Sequence, residues 1–266
     1  MLHPKFTYFA IAYSVYNIER NVNKMKEQLK NGASSLGLSL TDSQTDALIK
    51  YYNILIERNK YVNLTRITEP DEVVTKHFLD SLTPLLTGYI KGDVIDVGTG
   101  AGFPGLVLKC AKPEISLTLL DSLNKRISFL RDAADEMNIT DGISFVHSRA
   151  EDAALSAEHR EQYDTVVSRA VANMRTLSEW CLPFLKKDGY FLALKGPLAT
   201  DELNEAGNAI KILGGEIIGI FETKIPFTDL SHKIIIVKKV RQTPKQFPRK
   251  GKKATETPIE KIHKMR

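Results

Sequence analysis

The hydrophobic pattern of the chain changes character near Gly92. Before it, apolar residues recur at helical spacing. Thr41-Asp-Ser-Gln44 is a capping-box pattern, and Leu48, Tyr51, Tyr52, Leu55 and Ile56 follow at intervals that put them on one side of a helix. Pro70 suits the first turn of a second helix, on which Val73, Val74, His77, Phe78, Ser81 and Leu82 share a face. After Gly92, short apolar runs alternate with amphipathic segments. The runs are VIDV, SLTLLD, ISFVH, YDTVVS and GYFLAL, with helices predicted near residues 105–111, 125–137, 174–185 and 201–213. Near-continuous apolar strands separated by helices predict a parallel sheet covered on both faces. The last two runs, EIIGIFETKIPF and HKIIIVKKV, have only a loop between them, so they should pair antiparallel. The expected fold is α/β: a Rossmann-like sheet over residues 92–240 with an antiparallel last strand, carrying a small N-terminal helical cap over residues 25–91.

The chemistry concentrates where the first of these strands ends. Asp96, Gly98, Gly100 and Gly102 fall at alternate positions, D-x-G-x-G-x-G, and a helix is expected to open at Gly105. Glycines allow a sharp turn and a close approach of backbone to a ligand. The helix start would offer free N–H groups to whatever occupies the crevice at the strand ends. Asp121 ends the second strand, where an acid can bridge two ribose hydroxyls. Gly100, Gly102 and Gly105 also satisfy G-x-G-x-x-G, so a dinucleotide is the competing ligand. A bare strand-to-helix turn with a solvent-facing Asp is the purely structural alternative.

Charge refines this picture. The net charge of +5 is unevenly placed. Residues 238–266 hold 11 Lys/Arg and 2 Asp/Glu, leaving 26 against 30 in the rest of the chain. The body is mildly acidic, and a basic tail over residues 241–266, with Phe247 and spaced prolines, suits a phosphate backbone. A solvated tail that aids only solubility is the alternative. Cys110 and Cys181 lack metal-ligand or C-x-x-C spacing, so neither zinc nor a disulfide framework is expected. No stretch is long and apolar enough for a membrane span, and FAIAYSVY is a poor secretory signal. Residues 1–24 lack caps and clear periodicity. They are expected to form a poorly ordered extension, with a short helix starting near Met25.

Several motifs then meet one family. They are NLT at 63–65, HFLDS at 77–81, DVGTGAGFPG at 96–105, DSLNKRISFL at 121–130, SRAED at 148–152, SRAVA at 168–172, LALKG at 192–196 and the tail RQTPKQFPRK. Together, and in this order, they resemble the RsmG (GidB) family of 16S rRNA guanine-N7 methyltransferases, from about Met25 onward. The resemblance implies a class I methyltransferase fold and S-adenosyl-L-methionine as cofactor. It implies a cofactor pocket at Gly98 and Phe103, an adenine edge at Ala150 and Glu151, and completion of the site by Arg169. Glu151 could instead cap its helix, and Arg169 could form a structural ion pair. His77 and Asp80 are placed to reach the site from the cap, and Lys195 faces the same rim from the end of the fifth strand. Lys195, Lys125 and Arg126 could meet a phosphate; the alternatives are a buried His satisfied by a backbone carbonyl for His77, a turn cap for Asn63 and a solvated face for Lys125 and Arg126.

The implied substrate is a guanine of 16S rRNA in the decoding-region loop of the small ribosomal subunit. Guanine N7 carries a lone pair and no proton, so alignment and desolvation would suffice without a base. No Asn/Asp-Pro-Pro-aromatic run follows the fourth strand, and no Pro-Cys nucleophile is present. A cytoplasmic monomer without metal is expected. The competing functions are an NAD-dependent oxidoreductase and a non-catalytic RNA-binding module on a methyltransferase fold.

Overall fold

The computed structural model describes residues 4–169, 171–251 and 253–259, with side chains from Arg20 onward. Seven strands form one sheet in the order β3-β2-β1-β4-β5-β7-β6. They are β1 (Asp93–Val97), β2 (Ser116–Asp121), β3 (Ile143–His147), β4 (Tyr163–Arg169), β5 (Leu185–Lys195), β6 (Gly215–Lys224) and β7 (Ser231–Lys239). The first five pair parallel, and β7 inserts antiparallel between β5 and β6. The predicted hairpin is thus present.

Each apolar run is continuous because both faces of the sheet are covered. Val94, Leu192, Leu194, Ile234 and Ile236 enter a core beneath the cap helices. Their neighbours Ile95, Phe191, Ala193, Ile235 and Val237 enter a second core on the other face. Fully burying one such side chain stabilises by about 1.5–3 kcal/mol. The first core holds α1 (Pro4–Ser35), α2 (Asp42–Val62), the segment 70–82, α5 (Gly105–Ala111) and α6 (Asn124–Met137). The second holds α8 (Met174–Cys181), α9 (Ala199–Ile212) and the C-terminal segment. The Thr41 hydroxyl and Gln44 form the predicted capping box of α2. Cap and sheet therefore share one core, and Tyr51 joins them by donating to the Ala101 carbonyl.

Three expectations are corrected. The first helix does not begin near Met25 but at Pro4, with only residues 1–3 of the expected extension outside the described chain. Nothing between Pro4 and Gly32 breaks a helix, and Val22, Met25, Leu29 and Ala33 turn one face onto the core. The segment after Pro70 is not one regular helix. It is helical over Pro70–Val73 (α3), π-helical over Val74–Leu79 and helical again over Asp80–Leu82 (α4). Residues 73–75 and 77–82 are all buried, so no polar face is left to mark its period.

The third correction concerns the tail. Phe247 is 5% exposed and belongs to the second core, so it offers no ring to a base. Arg160 donates to the carbonyls of Thr243 and Phe247, at 2.8 Å each. Arg249 forks onto the buried Glu179 carboxylate at 2.8 and 2.6 Å. Lys239 is fully buried against the Leu182 carbonyl and Thr243, and burial pulls its ammonium pKa down to about 8. Through Ile259 the tail is a built strap, with Lys245, Lys250 and Lys253 exposed on it. Residues 252 and 260–266 lie outside the described chain.

Candidate active site

The glycine turn after β1 is fixed from below. The amides of Gly98 and Thr99 donate to the Leu120 carbonyl, which ties the turn to the end of β2. Asp96 is fully buried under the turn, where one carboxylate oxygen accepts from Thr99 Oγ1 and Gly105 N, each at 2.8 Å. Its other oxygen has no partner. Burial raises its pKa to about 6, against those two hydrogen bonds. Asp96 shapes the turn and does not line the cleft above it. The start of α5 is likewise internally capped, since Gly105 donates to Asp96 and Leu106 to Gly102. Its first two amides are therefore not the free donors expected to face the crevice.

The glycines differ from one another. Gly98, Gly100 and Gly102 all have positive φ, at 74°, 61° and 90°. A Cβ on Gly102 would stand 2.7 Å from the Tyr51 hydroxyl and 2.8 Å from Leu130, so this glycine serves close packing. A Cβ on Gly100 would meet nothing within 4 Å. There the main chain faces an open cleft of about 380 Å³. Its walls include Gly98, Gly100, Phe103, Asp121, Arg126 and Arg169. Asp121 accepts from Gly100 N at 3.0 Å, Leu123 N at 2.9 Å and Arg126 at 3.2 Å. A carboxylate group has about four acceptor positions, so these three donors leave one on this residue of the cleft wall. Arg126 is thus a partner of the site and not part of a solvated face.

A second cavity of about 680 Å³ adjoins the first and shares His77, Arg169 and Val171 with it. Its polar wall is a network across distant segments. Asp80, 1% exposed, accepts from Arg169 at 2.7 Å and from His232 Nδ1 at 2.5 Å. Burial alone would raise the Asp80 carboxyl, but the His232 hydrogen bond and the Arg169 charge hold it below the usual range. The same hydrogen bond raises the pKa of His232. Arg169 also donates to the Lys76 carbonyl at 3.2 Å and sits 5.1 Å from the centre of the Phe103 ring. His77 stacks on Phe103 at 4.4 Å and meets Thr65 Oγ1 at 2.9 Å. Burial and then Arg169 depress the His77 pKa to about 4, so its imidazole is neutral at neutral pH.

The structure therefore brings together His77, Asp80, Arg169, Phe103, Gly98, Gly100 and Asp121. Lys195 lines the second cavity but is tied to the Ala172 carbonyl and, at 2.7 Å, to Glu202. Ala150 and Glu151 begin the short helix after β3 and line neither cavity. Asn63 takes its structural alternative, a left-handed C-cap on α2. Sequence reasoning missed His232, which stands 152 residues from Asp80. One signal was available: the start of an antiparallel strand lies beside the ends of its parallel neighbours, and His232 is the second residue of β7. Among the described residues no helix is long and apolar enough to cross a membrane, and no cluster could hold a metal.

A parallel Rossmann-like sheet closed by an inserted antiparallel strand, with a glycine turn and an acid at the ends of β1 and β2, defines a class I methyltransferase. Residues 44–226 match the family described as rRNA small subunit methyltransferase G, and the chain belongs to that family. A relative named ribosomal RNA small subunit methyltransferase G, from Alkaliphilus oremlandii, is 50% identical over 238 residues, 89% of this chain and 99% of its own. One of the same name from Desulforamulus reducens is 47% identical over 240 residues, 90% and 100% of the two chains.

Proposed function

We propose that this enzyme transfers the methyl group of S-adenosylmethionine to N7 of a guanine in 16S rRNA, in the decoding-region loop of the small subunit. The observation that carries the reading is the pair of cavities meeting at His77 and Arg169, one floored by main chain and the other walled by a paired polar network.

The first cavity fits the cofactor. The open face at Gly100 leaves room against the main chain, and Asp121 keeps an acceptor for ribose hydroxyls. Gly98, Gly100, Phe103 and Asp121 would hold it. Asp96 would act one layer below, through the shape of the turn. Ala150 and Glu151 remain proposed along the adenine edge, although they are not in the cavity wall. When bound, the cofactor supplies a sulfonium-activated methyl group.

The second cavity suits a guanine that becomes cationic. Methylation at N7 fixes a positive charge on the base, and a neutral His77 does not oppose it. Asp80 is shared by Arg169 at 2.7 Å and His232 at 2.5 Å, so neither faces the product without a carboxylate beside it. No residue need remove a proton, because N7 has none. The protein's work is to align N7 with the methyl group and exclude water. Lys195 would reach an RNA phosphate only by leaving Glu202. The enzyme is proposed to act as a monomer in the cytoplasm with its ribosomal substrate.

The test is transfer of labelled methyl to RNA of small subunits lacking the modification, followed by nucleoside analysis. Label is expected only in 7-methylguanosine and only with S-adenosylmethionine. Label in an adenosine or pyrimidine would overturn the assignment, and tight binding of NAD would favour the dinucleotide reading.

A further inference from the structure

We infer that His232 is the residue that recognises the target base, donating from Nε2 to the O6 oxygen of guanine in the second cavity. The inference rests on the guanine-N7 reading and names the contact that makes it specific. The edge of guanine that carries N7 also carries O6, and both are acceptors. N7 must stay free of hydrogen bonds to attack the methyl group. O6 is then the atom by which the enzyme can hold that edge, and it needs a donor.

The other charged side chains around the cavity are already anchored, though not through every N–H they carry. Arg169 is bound to Asp80, the Lys76 carbonyl and His77. Lys195 is bound to Ala172 and Glu202. Lys76 is bound to Glu72. His232 lines the cavity and uses only Nδ1, on Asp80. A carboxylate on Nδ1 fixes the ring orientation and leaves Nε2 as the second nitrogen. Asn173 is the competing donor. Its carbonyl oxygen caps α8 through Thr176 N, which leaves its amide nitrogen.

The arrangement also carries a pH signature. The charged groups facing His232 are Asp80 from α4, Arg169 from β4, the Lys195–Glu202 pair from β5 and α9, Lys76 with its partner Glu72 from the segment 70–79, and His77, which is neutral. On its own hairpin, Glu222 is bonded to the adjacent Ser231. Asp80 favours the imidazolium, which bears a proton on Nε2. As pH rises through the folded-state pKa that proton is lost, and Nε2 becomes an acceptor facing O6.

The experiment compares two RNA substrates, one with guanosine and one with 2-aminopurine, which lacks O6, at the target position. Single-turnover methyl transfer should favour guanosine about tenfold to a hundredfold in the unmodified enzyme, the range of a hydrogen bond to a charged donor. In His232→Phe the preference should fall to within about twofold. His232→Gln, whose amide can still hold Asp80, should also lose most of it, together with the alkaline decline of the unmodified enzyme's pH profile. Calorimetric affinity for S-adenosylmethionine should be unchanged in both. A folded His232→Gln enzyme that keeps the full preference and the alkaline decline would overturn the inference. So would a preference abolished by Asn173→Ala instead. If the unmodified enzyme makes 7-methylguanosine while the His232 variants discriminate normally, only this inference fails. If it makes none, the underlying function fails with it.

Discussion

The two cavities share Arg169 yet are built on opposite principles. The floor of the first comes from one short stretch of main chain, Asp96 to Gly105, with Asp121 added from the next strand. Its shape depends on backbone conformations that only glycine adopts cheaply. The second comes from side chains of four distant segments, at residues 76–80, 169, 195 and 232. Its shape depends on each charge having its partner. The first region should therefore fail by strain and the second by unpaired charge.

The largest effect is expected in the charge network. Asp80→Ala removes the acceptor shared by Arg169 and His232, and leaving a buried charge unpaired costs about 3–5 kcal/mol. Urea unfolding should show that loss, and methyl transfer should be abolished. A stability change under about 1 kcal/mol would mean that water already screens the network.

Strain in the glycine turn can be separated from ligand contact. Gly102→Ala meets Tyr51 and Leu130 in a left-handed conformation and should destabilise by about 2–4 kcal/mol. Gly100→Val has open space around it and should cost only about 1–2 kcal/mol of backbone strain. Its cofactor affinity should nevertheless fall by about tenfold or more, equivalent to about 1.4 kcal/mol. Calorimetry showing normal affinity in folded Gly100→Val would remove the cofactor from this cleft.

A smaller, pH-dependent difference sits under the same turn. Asp96 has its pKa raised from 3.8 to about 6, so its ionisation costs the folded state stability as pH climbs through that interval. The stability of Asp96→Asn relative to the unmodified protein should rise between about pH 4 and pH 6 and then level. The upper bound is about 3 kcal/mol, from the interval between 3.8 and about 6. A difference independent of pH would place the cause in hydrogen bonding alone.

The smallest effect on the fold belongs to the strap. Replacing Lys245, Lys250 and Lys253 together by Gln should leave stability within about 0.5 kcal/mol and cofactor affinity intact. The salt dependence of RNA binding should flatten by about 2 in its logarithmic slope. An unchanged slope would show that this face does not meet RNA.

The contrast between the cavities also explains what could be read in advance. The glycine turn was legible because its chemistry is contiguous: strand, Asp96, three glycines and Asp121 follow in fixed order. Its inner detail was not, since only packing against Tyr51 separates Gly102 from Gly100. His77, Asp80 and Arg169 were each named as candidates, but nothing local says that Arg169 pairs with Asp80, 89 residues away. His232 had only an indirect signal, its place at the start of an antiparallel strand that lies beside β5. The tail misled because charge was counted without its partners, and Arg249 faces inward to Glu179. Helix α1 was missed at its start because a helix held by one buried face needs no strong cap.

The measurement that tests the central claim most directly is a strand-scission assay on the product. Small subunits lacking the modification are treated with enzyme and S-adenosylmethionine, and their 16S rRNA is reduced with borohydride and cleaved with aniline, chemistry that marks 7-methylguanosine. The account predicts one new break, in the decoding-region loop, absent without cofactor and absent with the Asp80→Ala enzyme. No break, or breaks scattered over many guanines, would contradict it.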